Sequence, residues 1–312
     1  MQKEILFVLA DVRSGSTLLA QLLGAHPDVF SVGEIQWLRA YARDDRSLYN
    51  PPHELACACG ETFAACDFWQ SVAAQLQQPV RDAFFVPRVF SWTGPGAVRQ
   101  GPYGRLWMRL LRTIPSAWLW PGVRQLSGGR GIAENNLAVF DAIFETTGAR
   151  YIVDSSKNAF RFRSIYDKRP GGCRIIVLNR DYRAAVHSRM KRGVTLDEAA
   201  EKWAEKVRQV RALTRGIPDD VLLPVKYEDI CGDPRRELTR ICEFLGLEFR
   251  ERMLRRPTQS IHDLGGSPSK LEAGRREIRL DTSYVGKYSD AELERLRRIV
   301  GPSARIAGYG VD

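Results

Sequence analysis

The sequence predicts an α/β protein built on a parallel sheet with helices on both faces. Two observations carry that expectation. Short, almost wholly apolar runs bounded by turn residues recur along the chain, as strands buried on both faces require, and helical patterns separate them. A third bounds it: 312 residues with 44% apolar and 27% charged content can bury one large core.

The first strand is expected at EILFVLA (4–10), followed by RYIVD (150–154), RIIVLN (174–179) and VLLPVKY (221–227). Helices are expected at STLLAQLLGA (16–25), NLAVFDAIFETT (136–147), YRAAVHSRMKR (182–192), LDEAAEKWAEKVRQVRALTR (196–215) and RRELTRICEFLG (235–246). Residues 48–130, rich in proline and tryptophan, break the strand–helix rhythm and read as a mostly helical insertion, or cap, over the carboxyl edge of the sheet. Residues 1–312 therefore read as a single domain with that cap and a C-terminal lid region at 255–312.

With 47 Lys and Arg against 37 Asp and Glu, the net charge of +10 suits either a solvated basic surface or a polyanionic ligand. Nucleic acid is disfavoured, because no basic helix with base-reading side chains and no RNA-binding aromatic signature is present. The chain lacks a run of eighteen apolar residues and opens without a signal-peptide pattern, so a cytoplasmic enzyme is expected. Residues 103–120 (YGRLWMRLLRTIPSAWLW) carry Leu106, Trp107, Leu110 and Leu111 on one helical face. That pattern fits a cap helix packed on the core, or an interfacial helix making transient contact with a membrane surface.

Six cysteines divide into two groups. Cys173, Cys231 and Cys242 sit in apolar surroundings and read as buried small hydrophobes. Cys57, Cys59 and Cys66, in HELACACGETFAACDFW, form a cluster that is open to three readings. They are packed thiols, a local disulfide, or three zinc ligands completed by His53.

The chemistry begins at ILFVLADVRSGSTLL (5–19), where an apolar strand meets a glycine turn and then a helix start. That order aims backbone N–H groups and a helix N-terminus at one point, which is how phosphate or sulfate is bound. A Walker A loop would need a lysine before the Ser/Thr to reach the terminal phosphates. Ser16 stands in its place, so ATP hydrolysis is disfavoured. Arg13, Ser14, Gly15, Ser16 and Thr17 remain as the candidate anion cradle.

RSGSTLL resembles the loop that holds the 5′-phosphosulfate in sulfotransferases using 3′-phosphoadenosine 5′-phosphosulfate (PAPS), most closely in the style of the tyrosylprotein and carbohydrate branch. VLNRDYRAAVHSR (177–189) is similar to that family's 3′-phosphate grip, with Arg180 at a strand end and Ser188 two helical turns on. VKYEDICGDPRRELTRICEFLGLEF (225–249) resembles its Y-E-D…D-P…F-L-G segment, which implies that Tyr227 lies against the adenine. AHPDVFSVGEIQWL (25–38) resembles its H-P-D…G-E segment, which puts the general base at Glu34, brought back by a short return strand. Lys157, after the strand at 150–154, matches a family lysine that steadies charge on the leaving phosphate. SIHDLGGSPSKLEAGRREIRLDTSYVGKYSDAEL (260–293) resembles a basic loop that closes over the nucleotide, with His262, Gly266, Lys270 and Lys287 as its notable positions.

The resemblance covers residues 5–250 around an unmatched insertion and implies a P-loop-like α/β fold. It implies sulfuryl transfer from PAPS, with 3′,5′-ADP as product, to a hydroxyl of a carbohydrate, lipid, small molecule or peptide tyrosine. Arg13, Glu34 and Lys157 would be catalytic; Arg13, Ser14, Gly15, Ser16, Thr17, Arg180, Ser188 and Tyr227 would hold the donor. The transfer itself would need no metal, since protein cations do the charge work that magnesium does in kinases. Two readings stand beside it: a small-molecule kinase that has drifted from Walker A, and a non-catalytic nucleotide-binding protein.

Overall fold

Alternating side chains on the first strand, β1 (Glu4–Ala10), organise the molecule, because every residue of that strand is buried. Ile5, Phe7 and Leu9 point to one face of the sheet, against Phe140, Phe162 and Val210. Leu6, Val8 and Ala10 point to the other, against Leu19, Leu22 and Leu238. A central parallel strand needs this two-sided apolar cover. The structure, a computed structural model, describes residues 2–44, 55–76, 129–257, 261–266 and 278–310.

The sheet order is β2-β3-β1-β4-β5, and all four pairings are parallel. Strands β2 (Val29–Ser31), β3 (Tyr151–Asp154), β4 (Cys173–Asn179) and β5 (Leu222–Lys226) complete it. Helix α1 (Ser16–Gly24) leads from β1 to the return strand β2, which Gly33 and Glu34 follow. A 3₁₀ turn (Ile35–Trp37) and helix α2 (Leu38–Arg43) continue from there. Helix α3 (Asp67–Gln75) belongs to the described part of the 48–130 region; the 103–120 segment and His53 lie outside the described residues.

Later helices are α4 (Gly129–Thr147), α5 (Ala159–Tyr166), α6 (Tyr182–Met190) and α7 (Leu196–Leu213). After β5 come α8 (Tyr227–Gly232), α9 (Pro234–Leu245) and α10 (Asp290–Ile306). Two boundaries differ from expectation. Tyr227 opens α8 instead of closing β5, because Glu228 and Asp229 in the first turn suit the positive end of the helix dipole. The loop expected through residue 293 ends earlier, at a capping box in which Ser289 and Glu292 bond each other's backbone N–H. From there α10 packs Leu296, Val300 and Ala304 onto Ala200, Trp203 and Ala204 of α7. Strand β5 is more exposed than an all-apolar reading implied; it is the sheet's edge, where Pro224 costs no ladder bond.

A buried polar network sets the loop after β3. Asp154 is ion-paired to Arg161 of α5, and Arg161 Nε donates to Asn136 Oδ1 at 3.1 Å. The same carboxylate accepts from the Ser156 backbone N–H at 2.9 Å. Asp154→Ala strands a buried guanidinium, and we expect it to lower unfolding stability by about 3–5 kcal/mol. Urea denaturation followed by circular dichroism measures this, and a loss under about 1 kcal/mol would show that the network contributes little.

Candidate active site

Two backbone strains mark the turn between β1 and α1. Arg13 has φ 69° and Gly15 has φ 83°, both in the left-handed region. Left-handed residues on either side of Ser14 turn successive N–H groups toward a common concavity, and the first N–H groups of α1 have no side-chain cap. Gly15 is also forced by proximity: a Cβ there would lie 2.4 Å from Tyr227 Cδ2. The Tyr227 ring thus lies directly on the turn, buried, and its hydroxyl donates to the Arg279 carbonyl at 3.2 Å.

Arg180, at the carboxyl end of β4, closes the arrangement. Its guanidinium sits 4.6 Å from the centroid of the Tyr227 ring, and Nη1 donates to the Arg13 carbonyl at 2.8 Å. Nη2 donates to Asp281 Oδ2 at 3.0 Å. Arg13 Nε in turn donates to Ser188 Oγ at 3.1 Å. The helical spacing expected between Arg180 and Ser188 therefore delivers both to the same turn, on the crevice side of the strand ends where α/β sheets bind ligands.

The electrostatics are those of an anion pocket. Burial and repulsion from Arg192 and Arg180 lower the Arg13 pKa, with Asp281 opposing them. His187 is lowered likewise, first by burial and then by Lys191. Burial works to raise the Asp281 carboxyl, but hydrogen bonds from Ser283 and Arg180 outweigh it and hold the group at about 2. Ser14 Oγ and Arg180 Nε are buried with no hydrogen-bond partner. Such orphaned groups, beside a cradle that only glycine fits, suit an anionic ligand with two attachment points. Ser16 is buried at the start of α1, and Thr17 follows it.

A second constellation lies along the same carboxyl edge. Glu34 follows β2 and Lys157 follows β3, its neighbour in the sheet. Lys157 Nζ donates to Glu34 Oε1 at 2.5 Å and to the Ser155 carbonyl at 3.1 Å. Glu34 Oε2 accepts from Trp37 Nε1 at 3.1 Å. The two loops are stitched together by Ser155 N–H to the Gly33 carbonyl at 2.9 Å and Gln36 N–H to Ser156 Oγ at 3.1 Å. Lys157 holds φ 61°, a conformation that costs a non-glycine residue energy and that clusters at working sites. Asn158 caps α5 by accepting from the Arg161 backbone N–H at 3.1 Å.

Three residues escape the sequence reading. Arg189, next to Ser188, pairs with Asp11 at 2.5 Å and leaves Nη1 buried without a partner, bracing α6 against the glycine turn. Lys206 of α7 donates to the Lys157 carbonyl at 2.6 Å; burial lowers its ammonium to about 8. Asp281 occupies one arm of the Arg180 fork. None is singled out in the sequence, and each contact joins parts of the chain far apart in sequence. Of the lid positions, His262, Gly266 and Lys287 are described, and Arg180 donates instead to Arg13 and Asp281; Lys270 is outside the described residues.

Gly15→Ala tests the cradle. The methyl must displace the Tyr227 ring from a left-handed backbone position, and we expect a stability loss of about 1–3 kcal/mol. Thermal protection by pyrophosphate, read by differential scanning fluorimetry, should disappear in the variant. Undiminished protection would mean that the turn is not the anion site.

Comparisons with known proteins agree with this geometry. Residues 125–251 match the family model described as the sulfotransferase family. A Caenorhabditis elegans protein whose name assigns it to the protein-tyrosine sulfotransferases is 28% identical over 147 residues, 44% of this chain and 56% of that protein. A Caenorhabditis briggsae protein so named is 22% identical over 323 aligned positions, 98% of this chain and 89% of that protein. The first alignment thus spans little more than half of its relative. Among solved structures, the sulfotransferase domain from the curacin biosynthetic pathway matches 99% of each chain with a TM-score of 0.57 at 19% identity, which shows a shared fold. The chain is thus similar to the sulfotransferase family over residues 125–251, and it shares the fold of a solved sulfotransferase domain.

Proposed function

We propose that this protein transfers a sulfuryl group from PAPS to a hydroxyl acceptor, with Glu34 as the general base. Bound PAPS would supply the sulfuryl group and depart as 3′,5′-ADP. The turn at Arg13–Thr17 would hold the 5′-phosphosulfate, Arg180 and Ser188 the 3′-phosphate, and Tyr227 the adenine. The observation that carries the reading is the Glu34–Lys157 pair, held on adjacent strand ends along the edge that bears Arg13 and Arg180.

The pairing also suggests an order of events. Both Glu34 oxygens already accept hydrogen bonds, one from Trp37 and one from Lys157. To take a proton from an acceptor hydroxyl, Glu34 must be released by Lys157. The released ammonium is then the cation that can steady charge on the leaving phosphate. Trp37 keeps the other oxygen oriented throughout. Asp281 must likewise leave one arm of Arg180 when a 3′-phosphate enters.

The acceptor is proposed only as a hydroxyl. The names of the two nematode relatives make a peptide tyrosine the first acceptor to assay, beside sugar, lipid and small-molecule alcohols. No helix among the described residues is long and apolar enough to cross a membrane. We place the reaction in the cytoplasm.

Two measurements test this. Calorimetric titration should show 3′,5′-ADP binding at least about tenfold more tightly than AMP, a preference that Arg180→Ala erases. Equal affinities in the unaltered protein would remove the 3′-phosphate grip. Glu34→Gln should lower kcat at least about a hundredfold while 3′,5′-ADP affinity stays within a few-fold. If turnover survives within a few-fold, the base is some other group.

A further inference from the structure

Cys57, Cys59 and Cys66 do not stand alone. His262, about two hundred residues downstream, brings its ring to the same point, and the four ligand atoms all lie within 4.8 Å of one another. Cys66 Sγ is 3.8 Å from Cys57 Sγ and 3.7 Å from Cys59 Sγ. His262 Nδ1 is 3.3 Å from Cys66 Sγ and 3.7 Å from Cys57 Sγ. A tetrahedral zinc with Zn–S bonds near 2.3 Å and a Zn–N bond near 2.0 Å has S···S edges of about 3.8 Å and S···N edges of about 3.5 Å. A disulfide would instead bring two sulfurs to about 2.05 Å and leave the third thiol and the imidazole without purpose.

We infer that Cys57, Cys59, Cys66 and His262 bind one zinc ion in a closed, structural site. The surrounding chain is shaped for it. Cys57 N–H donates to the Glu61 carbonyl and Gly60 N–H to the Cys57 carbonyl, a tight turn that Gly60 makes with φ 99°. Cys66 is the N-cap of α3, at the positive end of the helix. The His262 ring stacks on Phe68 at 4.7 Å and on Phe30 at 6.2 Å, which fixes Nδ1 toward the sulfurs. Three ligands from one short loop and a fourth from far along the chain make a cross-link, and all four donors are used, so no position is left open for catalysis.

The cross-link has a target. The residues after His262 run beside the return strand: Leu264 N–H donates to the Val32 carbonyl at 3.1 Å, and Glu34 N–H to the Leu264 carbonyl at 2.6 Å. Ser31 Oγ donates to Asp263 Oδ1 at 2.5 Å, and the Ala58 N–H to the Asp263 carbonyl at 3.2 Å. Zinc would thus clamp the 261–265 segment between the cysteine loop and the backbone of Glu34. The binding claim is independent of the sulfuryl-transfer reading, because its test measures metal.

The protein, purified under reducing conditions without an affinity tag that binds metal, should carry one zinc per chain by plasma mass spectrometry. Its cobalt-substituted form should show the thiolate-to-cobalt charge-transfer and intense d–d absorption of a tetrahedral site. Competition with a chromophoric chelator should find zinc at least about tenfold weaker in His262→Ala and in Cys59→Ser, while His53→Ala is unchanged. Cys59 is exposed, so its serine variant should stay folded even where the histidine variant does not. Absence of bound zinc after incubation with zinc sulfate, an octahedral cobalt spectrum, a disulfide among the three cysteines in the purified protein, or dependence on His53 in place of His262 would each overturn the assignment.

Discussion

One hydrogen bond, from Arg180 Nη1 to the carbonyl of Arg13, joins the carboxyl ends of β1 and β4 and makes a single site of two motifs 167 residues apart in the chain. It requires a short stack: the Gly15 backbone, the Tyr227 ring on it, and the Arg180 guanidinium over that ring. A side chain at residue 15 would push the ring outward and carry the guanidinium away from the turn. The parallel sheet makes the stack possible, because adjacent strands release their loops at the same edge.

Charge is handled by the same geometry. Arg13, Arg180 and Arg192 lie close enough for their mutual repulsion, with burial, to lower the Arg13 pKa, a cost that an entering polyanion relieves. Asp281 offsets part of it in the meantime. A nucleotide kinase meets phosphate charge with magnesium and a loop lysine; here the proposed counterpart is a pair of arginines at two strand ends. The Glu34–Lys157 pair belongs to the other half of the edge, on loops that hydrogen bonds from Ser155 and Gln36 hold in register. On the far side of β2, the Leu264 segment grips Glu34 by its backbone, so the proposed base is held from both flanks.

Much of this was legible in the residues. The four apolar runs became β1, β3, β4 and β5; RSGSTLL spans the turn between β1 and α1, and Arg180 and Ser188 both hydrogen-bond Arg13 there. Those features are local: a buried strand must be apolar, a tight turn before a helix needs its glycine, and a helix repeats its faces at fixed spacing. The helix at 290–306 carried a local signal too, in Ser289 and Glu292, but a glycine- and arginine-rich stretch before it reads as loop and conceals the boundary.

The cysteine cluster marks the limit. Its spacing pointed to packed thiols or a disulfide ahead of zinc, and the nearest histidine in the chain was the natural fourth ligand. Only the fold brings in His262, because β2 recruits the 261–265 segment as a neighbour and no periodicity announces a single bridging pair. Arg189 on Asp11, Asp281 on Arg180 and Lys206 on the Lys157 loop have the same origin. The sequence by itself determined the layers and the glycine turn between β1 and α1, since both follow from neighbours a few residues apart. Which distant side chains meet around that turn was decided by the tertiary structure alone, since such contacts depend on where the elements pack and leave no pattern in the chain.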